Sequence, residues 1–173
     1  MDALVYGTSI MKGPKMGCDI HWYSETKKDG KWVCDQAESY YIEDEGTADE
    51  YHTMDDFPNR GRDYWWFGFI QPGVRSSWDF GFDESHQPDD LSPEVERIIN
   101  RWDSDGHSHG HLTRAELKAK LVELAETRTR MLINPTEELG ALKHLVQRLE
   151  ETVSNLKSDV PDEDQRIVFF FDN

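Results

Sequence analysis

The sequence predicts an α+β domain with a small, mostly antiparallel sheet, a long C-terminal helical hairpin and a final strand at the centre of the sheet. Gly17–Tyr23 alternates like a half-buried strand, and Arg166–Phe171 is apolar on both faces, like a central one. Between them, apolar stripes with helical spacing predict two helices folded back on each other over residues 113–157. Six Trp, six Tyr and eight Phe among 173 residues supply a core that a disordered acidic chain lacks. We therefore expect a soluble domain over residues 16–173, preceded by an N-terminal extension over residues 1–15.

The first strands form a predicted β-hairpin. In the first strand, Asp19 and His21 share one face and the apolar residues share the other. Asp29-Gly30 is a good two-residue turn, and Lys31–Cys34 follows it as the returning strand. The final strand is expected to pair with the first.

The two cysteines, Cys18 and Cys34, are fewer than a secreted disulfide scaffold normally carries. The hairpin register places Cys34 opposite Glu25 and leaves Cys18 far along the ladder, so we expect two free, reduced thiols. No apolar run approaches the roughly 20 residues of a membrane span, and residues 1–15 lack the apolar core of a signal peptide. These features predict a cytoplasmic protein.

The starts of two helices are marked by capping residues. Ser92 and Pro93 have the residue types of an N-cap and a first helical position. Thr113 and Glu116 form a capping box, which predicts that the helical hairpin begins there. The second helix of this hairpin carries a regular seam of leucine and valine, which is typical of a packing surface.

Three segments lie between the first hairpin and the helices. Asp35–Pro58 contains nine acidic residues and neither Lys nor Arg, which predicts an irregular acidic loop with room for one short strand. Tyr64–Ile70 is apolar and aromatic, consistent with a buried strand or a short helix. Gln71–Asp90 is rich in Gly, Pro, Ser and Asp, which indicates a long loop.

The charge balance restricts the possible partners. Lys and Arg total 19 and Asp and Glu total 35, so the formal net charge is −16. Such a surface repels phosphate groups, which argues against direct binding of DNA or RNA. It is compatible with imitation of a nucleic acid, with attraction of a basic protein, or with solubility alone.

Two polar segments have residues that suit a metal ion. Asp19 and His21 are two residues apart on one strand face, so their side chains can act on one metal ion or one water molecule. Asp105, His107 and His109 lie close together in the chain, and histidines beside carboxylates suit zinc or manganese. We predict Asp19, His21, His107 and His109 as metal ligands. The alternative interpretations are a histidine satisfied within the fold and a polar connection that caps two helices.

Arginines flank the aromatic segment: Arg62 precedes it and Arg75 follows it. A guanidinium group binds phosphate or carboxylate through two parallel hydrogen bonds. Either arginine could hold an anionic ligand in this way, or could neutralise Asp19 or Asp63 inside the fold.

Several motifs resemble those of a phage and bacterial protein family that has no assigned activity. The similar elements are Met16–His21 (Met-Gly-Cys-Asp-Ile-His), Arg62-Asp63-Tyr64, Val74-Arg75, Pro88–Ser92, Asp105–Thr113 and Val168–Asn173. This resemblance spans nearly the whole domain. It implies that residues 1–15 are an addition or that translation starts at Met16, and it implies a phage protein acting in the host cytoplasm.

The polar segments together predict one pocket formed by Asp19, His21, Arg62, Asp105 and His107. Its predicted function is metal-dependent hydrolysis, or binding, of a small phosphorylated or nucleotide-like ligand. We expect this function to counter host defence. Asp105, His107 and Arg62 are the predicted catalytic residues, with the arginine binding the anion. The alternative is an acidic inhibitor or nucleic-acid mimic that uses Asp35–Pro58 and the net charge of −16 to bind a basic host protein.

Overall fold

The computed structural model describes residues 17–36, 38–42, 50–54, 62–102, 104–133 and 138–172. The predicted extension, residues 1–15, lies outside them. The described residues contain a four-stranded antiparallel sheet with helices packed on both of its faces. This arrangement confirms the predicted α+β class.

The elements follow one another along the chain as strands, helices and a final strand. The strands are β1 (Asp19–Lys28), β2 (Lys31–Cys34), β3 (Glu38–Ile42), β4 (Glu50–Met54), β5 (His107–Thr113) and β6 (Gln165–Asp172). The helices are α1 (Tyr64–Ile70), α2 (Pro93–Trp102), α3 (Arg114–Ile133) and α4 (Leu139–Asn155), and a turn of 3₁₀ helix covers Asp162–Asp164.

The last strand, β6, occupies an inner position of the sheet, as the sequence predicts. The strand order is β2-β1-β6-β5, and each neighbouring pair is antiparallel. Ile20 of β1 lies opposite Phe171 of β6. All residues of β6 before Asp172 are buried, because helices cover the strand on both sides, and this explains its continuous apolar run.

The two faces of the sheet belong to separate cores. Ile20, Phe169 and Phe171 point towards α1, α3 and α4, where they form the larger core. Tyr23 and Phe170 point the other way, into a smaller core with α2. We call the side covered by α1, α3 and α4 the hairpin face, after the helical hairpin, and we call the other side the α2 face.

The predicted helix starts are confirmed by hydrogen bonds. The backbone N–H of Thr113 donates to Glu116 Oε2 at 2.7 Å, and the backbone N–H of Glu116 donates to Thr113 Oγ1 at 3.2 Å. The Ser92 hydroxyl accepts a backbone N–H from the first turn of α2 at 3.3 Å. Helices α3 and α4 pack against each other, as the predicted hairpin requires.

The predicted acidic loop Asp35–Pro58 contains more regular structure than its composition indicates. Within it, β3 and β4 pair as an antiparallel two-stranded sheet, with Tyr41 opposite Tyr51. The tyrosines of these strands favour extended backbone, whereas the acidic residues around them hide the alternation on which a strand prediction depends.

Tyr64–Ile70, for which the sequence allows a strand or a helix, is the helix α1. The Asp63 carboxylate caps it by accepting the backbone N–H of Trp66 at 3.1 Å. The chain that follows crosses close to Gly68, where a Cβ atom would lie 2.4 Å from the backbone oxygen of Ser76. Only glycine allows this approach.

Gln71–Asp90 has neither helix nor strand, but it is not a loose loop. Its side chains Val74, Phe80 and Phe82 are buried in the core of the hairpin face. The backbone N–H of Phe82 donates to the carbonyl of Phe69 at 2.8 Å. The segment therefore forms part of the wall around α1.

A buried ion pair fastens α2 to the sheet. Arg166 Nε donates to Glu25 Oε2 at 2.7 Å, and these side chains are only 4% and 0% exposed. Arg166 also binds Asp90 at 2.8 Å, and its guanidinium lies 4.0 Å from the centre of the Trp32 ring. The second oxygen of Glu25 accepts the backbone N–H of Ser92 at 2.7 Å, directly before α2.

Both cysteines are free, as predicted, and Cys34 lies opposite Glu25 in the hairpin register. Burial raises the pKa of the Cys34 thiol to about 12.

Among the helices of the described segments, none has the length and apolar character needed to cross a membrane.

Candidate functional site

One end of the sheet gathers side chains from several of the polar motifs. At this end β1 and β5 begin and β6 finishes, since Asp19 lies opposite Asp172 and His107 lies opposite Phe171. We call it the polar end and define it by Gly17, Cys18, Asp19, His21, Arg62, Arg75, His107 and Asp172.

The first contact at the polar end joins Arg62 to Asp19. Arg62 Nε and Nη2 donate to the two carboxylate oxygens of Asp19 at 2.8 and 2.9 Å. The hydrogen bond from Arg62 holds the pKa of the Asp19 carboxyl below its ordinary value. The two side chains remain 54% and 47% exposed, so a ligand can reach the guanidinium. Of the two predicted roles of Arg62, the ion pair with Asp19 is present in the fold.

Gly17 makes room for this ion pair. A Cβ atom at this position would lie 2.4 Å from Nη1 and 2.6 Å from Cζ of Arg62, well inside van der Waals contact. The absence of a side chain at Gly17 therefore leaves the space that the Arg62 guanidinium occupies. This contact joins two motifs that lie 45 residues apart in the chain (62 − 17).

The second contact joins His21 to Asp172, a residue that the sequence interpretation did not select. His21 Nε2 lies 3.2 Å from Asp172 Oδ2, and Asp172 Oδ1 accepts the backbone N–H of Asp19 at 3.1 Å. The side chains of His21 and Asp172 are 19% and 15% exposed. The predicted pairing of the first and last strands contained the signal for this contact, because an acidic residue at the end of β6 must lie near the start of β1.

An aromatic row supports the His21 ring on the α2 face. The imidazole lies 4.6 Å from Trp102 and 4.9 Å from Phe170, measured between ring centres. His109 lies on the other side of Phe170 at 5.5 Å. Burial lowers the pKa of His109, and electrostatic repulsion from the neighbouring His107 lowers it further.

A β-bulge separates the predicted histidines. The pairing of β5 with β6 shifts between His107 and Gly110, and Ser108 has a positive φ of 51°. The extra residue turns His107 towards Phe171 on the hairpin face, whereas His109 lies against Phe170 on the α2 face. The Nε2 atom of His107 is buried and has no hydrogen-bond partner among the described residues, and its Nδ1 atom lies 3.0 Å from Ser108 Oγ.

The structure therefore brings part of the predicted pocket together and leaves part of it apart. Asp19, His21 and Arg62 meet at the polar end. His107 points to the opposite face of the sheet from His21, and Asp105 is exposed in the turn after α2. Within the described segments, no three His, Cys, Asp or Glu side chains converge so as to hold a metal ion. The zinc or manganese site stays a prediction.

Asp63, the middle residue of Arg62-Asp63-Tyr64, has a structural role. Besides capping α1, its carboxylate lies 2.6 Å from His144 Nε2 and 3.3 Å from Arg148 Nε, both on α4. The Arg148 guanidinium also lies 5.6 Å from the Trp66 ring. The aspartate thus ties α1 to α4 and keeps the residue before it, Arg62, in place.

Arg75 reaches the polar end from the hairpin face. Its guanidinium lies 5.5 Å from the centre of the Tyr64 ring and hydrogen-bonds the Cys18 thiol. Burial raises the pKa of Cys18 more than this hydrogen bond lowers it. The thiol is accordingly neutral near pH 7.

Comparison with known proteins adds no relative. No protein-family model, no curated protein and no solved structure matches this chain. The resemblance to a phage and bacterial family stays a prediction.

Proposed function

We propose that the protein binds a small phosphorylated or nucleotide-like ligand at the polar end and promotes its hydrolysis there. The observation that supports the proposal is the position of two polar pairs side by side on one sheet face: Arg62 with Asp19, and His21 with Asp172. One pair offers a partly exposed guanidinium, and the other offers a histidine held by a carboxylate.

Arg62 is the proposed anion-binding group. Its guanidinium is already oriented by Asp19 and by the space beside Gly17, so little side-chain freedom is lost when a ligand binds. A phosphate group would share or replace the contacts of the Asp19 carboxylate, because both anions accept the same pair of parallel hydrogen bonds.

His21 is the proposed general base. A carboxylate that hydrogen-bonds an imidazole fixes the orientation of the ring and stabilises its protonated form, which is the arrangement that hydrolases use to remove a proton from water. Asp172 has this relation to His21, and stacking on Phe170 limits movement of the ring. The predicted roles of Asp105 and His107 find less support, since one is exposed and the other faces the hairpin side of the sheet.

The test begins with affinity for a simple anion. Titration calorimetry with inorganic phosphate should give at least tenfold weaker binding for Arg62→Ala than for the unmodified protein, because a hydrogen bond to a charged group contributes about 1.5–3 kcal/mol. Arg128→Ala is the matched control, since Arg128 is exposed on α3 and distant from the polar end in the chain. Equal affinities for the two variants would rule out Arg62 as the anion-binding group.

The hydrolytic step is tested separately by phosphate release from a panel of phosphate monoesters. His21→Gln and Asp172→Asn should both retain phosphate binding and lose release, because each removes one half of the proposed base. Treatment with a chelator, followed by addition of zinc or manganese, tests the predicted metal dependence. Release that survives both substitutions would refute the base assignment.

A second function, binding of a basic protein, is favoured by an acidic groove away from the polar end. The groove has a volume of about 510 Å³ and lies between the 82–86 segment and α3. Its carboxylates belong to Asp83, Glu84, Glu116 and Glu123. Lys120 also lines the groove, and its ammonium group is bound by the Gly81 carbonyl and the Glu123 carboxylate at 2.8 and 2.7 Å.

This second function predicts salt-dependent binding of a lysine-rich peptide. The double variant Asp83→Asn, Glu84→Gln should weaken the binding, and the control Glu150→Gln, Asp159→Asn should not, although both remove two charges. Equal loss in the two double variants would indicate general charge attraction and would refute a binding site in the groove.

A further inference from the structure

Next to Arg62, the surface of α1 carries two aromatic side chains that remain open to solvent. Tyr64 is 37% exposed and Trp65 is 48% exposed, although the other apolar side chains of α1 are completely buried. The Trp65 ring contacts Trp78 at 6.1 Å and His144 at 5.8 Å between ring centres, and both of these rings lie close to perpendicular to it. An exposed aromatic ring that is nevertheless fixed in orientation is a suitable surface for stacking a planar group.

Arg75 is held beside these rings by a strained turn. Its φ of 67° lies in the left-handed region, which a non-glycine residue rarely adopts. The turn is closed by hydrogen bonds from Ser76 N–H to Val74 O at 2.8 Å and from Ser76 Oγ to Tyr64 O at 2.7 Å. Strained residues that are fixed by their surroundings concentrate at binding sites, and this turn directs the guanidinium over the Tyr64 ring.

The charges and rings select a ligand class. Arg62 lies two residues before Tyr64 in the chain, and the Arg75 guanidinium lies over the Tyr64 ring at 5.5 Å. In a protein with a formal charge of −16, two guanidinium groups around one exposed tyrosine form a local site for an anion. The adjoining Trp65 adds a surface for an aromatic ring.

We propose that Tyr64, Trp65 and Arg75 form the base-binding half of a mononucleotide site whose phosphate lies at Arg62. This inference rests on the proposed function, because it uses the same phosphate-binding arginine. The nucleobase stacks on Trp65, and Arg75, which lies over the Tyr64 ring, contributes a second positive charge to the phosphate. A long nucleic acid is disfavoured by the acidic surface, so the expected ligand is a free nucleotide.

The experiment compares AMP, ribose 5-phosphate, adenosine and inorganic phosphate by titration calorimetry and by quenching of tryptophan fluorescence. AMP should bind at least fivefold more tightly than ribose 5-phosphate, because a base gains affinity when it stacks on an aromatic side chain. Trp65→Ala should abolish this preference without changing the affinity for ribose 5-phosphate. Arg75→Asn, in which asparagine tolerates the left-handed backbone, should weaken both ligands, and Arg128→Asn should weaken neither.

The outcomes separate the inference from the proposed function. Binding of ribose 5-phosphate that depends on Arg62, with no preference for AMP, overturns the base-binding site and leaves the phosphate site intact. A preference for AMP that depends on Trp65 but not on Arg62 overturns the phosphate assignment and retains the stacking surface. A short single-stranded oligonucleotide that binds more tightly than AMP overturns the assignment to a free nucleotide.

Discussion

Replacing Gly17 by alanine tests whether the glycine is needed to leave space for the Arg62 guanidinium. The added Cβ would lie 2.4 Å from Nη1, 2.6 Å from Cζ and 2.8 Å from Nη2 of Arg62. Ordinary contacts begin near 3.4 Å, so the guanidinium must withdraw by about 1 Å. That displacement carries its hydrogen bonds to Asp19, now 2.8 and 2.9 Å long, beyond useful geometry.

The expected cost in stability is small. An ion pair this exposed contributes little to stability because water screens it, and alanine in place of glycine restricts the unfolded chain and returns about 0.4–1 kcal/mol. The free energy of unfolding should therefore change by less than about 1 kcal/mol, which corresponds to a Tm shift of no more than about 4 °C for a chain of this size. The affinity for phosphate should nevertheless fall about tenfold or more, because Arg62 loses its orientation.

Gly68→Ala provides the contrast. Its Cβ would lie 2.4 and 2.5 Å from backbone atoms of Ser76, and backbone inside a packed wall cannot withdraw as a side-chain end can. Overpacking of this kind costs about 1–3 kcal/mol or more, so this variant should have a clearly lowered Tm.

Two measurements check the reasoning about Gly17. Thermal unfolding gives the stability change, and NMR titration of the Asp19 carboxyl gives its pKa, which should rise towards the ordinary value near 3.9 when the Arg62 contact is lost. In the unmodified protein the ion pair stabilises the fold above that value and ceases to do so as the pH falls through the lowered pKa. An unchanged Asp19 pKa in Gly17→Ala, or a Tm loss equal to that of Gly68→Ala, would refute the proposal that Gly17 leaves the space for Arg62.

Two further predictions concern charge inside the fold. The pKa of His109 is lowered in the folded state, so the unfolded chain binds the proton more readily and stability should fall as the pH drops below about 6.5. Urea unfolding at pH 7 and pH 5.5 should show a smaller difference in the free energy of unfolding for His109→Gln than for the unmodified protein. An equal difference would contradict the assignment. Glu25→Ala should lower the free energy of unfolding by about 3 kcal/mol or more, since it removes the carboxylate from the buried Arg166 guanidinium. The control Lys118→Ala breaks an exposed pair with Asp162 and should cost far less, because water screens that pair. Similar losses in the two variants would show that the buried pair is not a special anchor.

The parts of the fold that could be predicted from the sequence depend on local patterns. The turn at Asp29-Gly30, the capping box at Thr113 and the apolar run of β6 each follow from the conformations that a few consecutive residues allow. The contact between Arg62 and Asp19 was one of two interpretations that the sequence left open. Asp172 was missed because no local pattern distinguishes it, although the predicted strand pairing implied its neighbourhood.

The sequence by itself determined the α+β class, the order of the main elements and the alternation that places Asp19 and His21 on one face, because these depend on the periodicity of side chains along the backbone. Only the tertiary structure decided which polar residues meet. One extra residue in β5, at Ser108, reverses the side of the sheet to which a side chain points, and it parts His107 from His21. Such a bulge is set by contacts between strands, and those contacts exist only when β5 lies against β6.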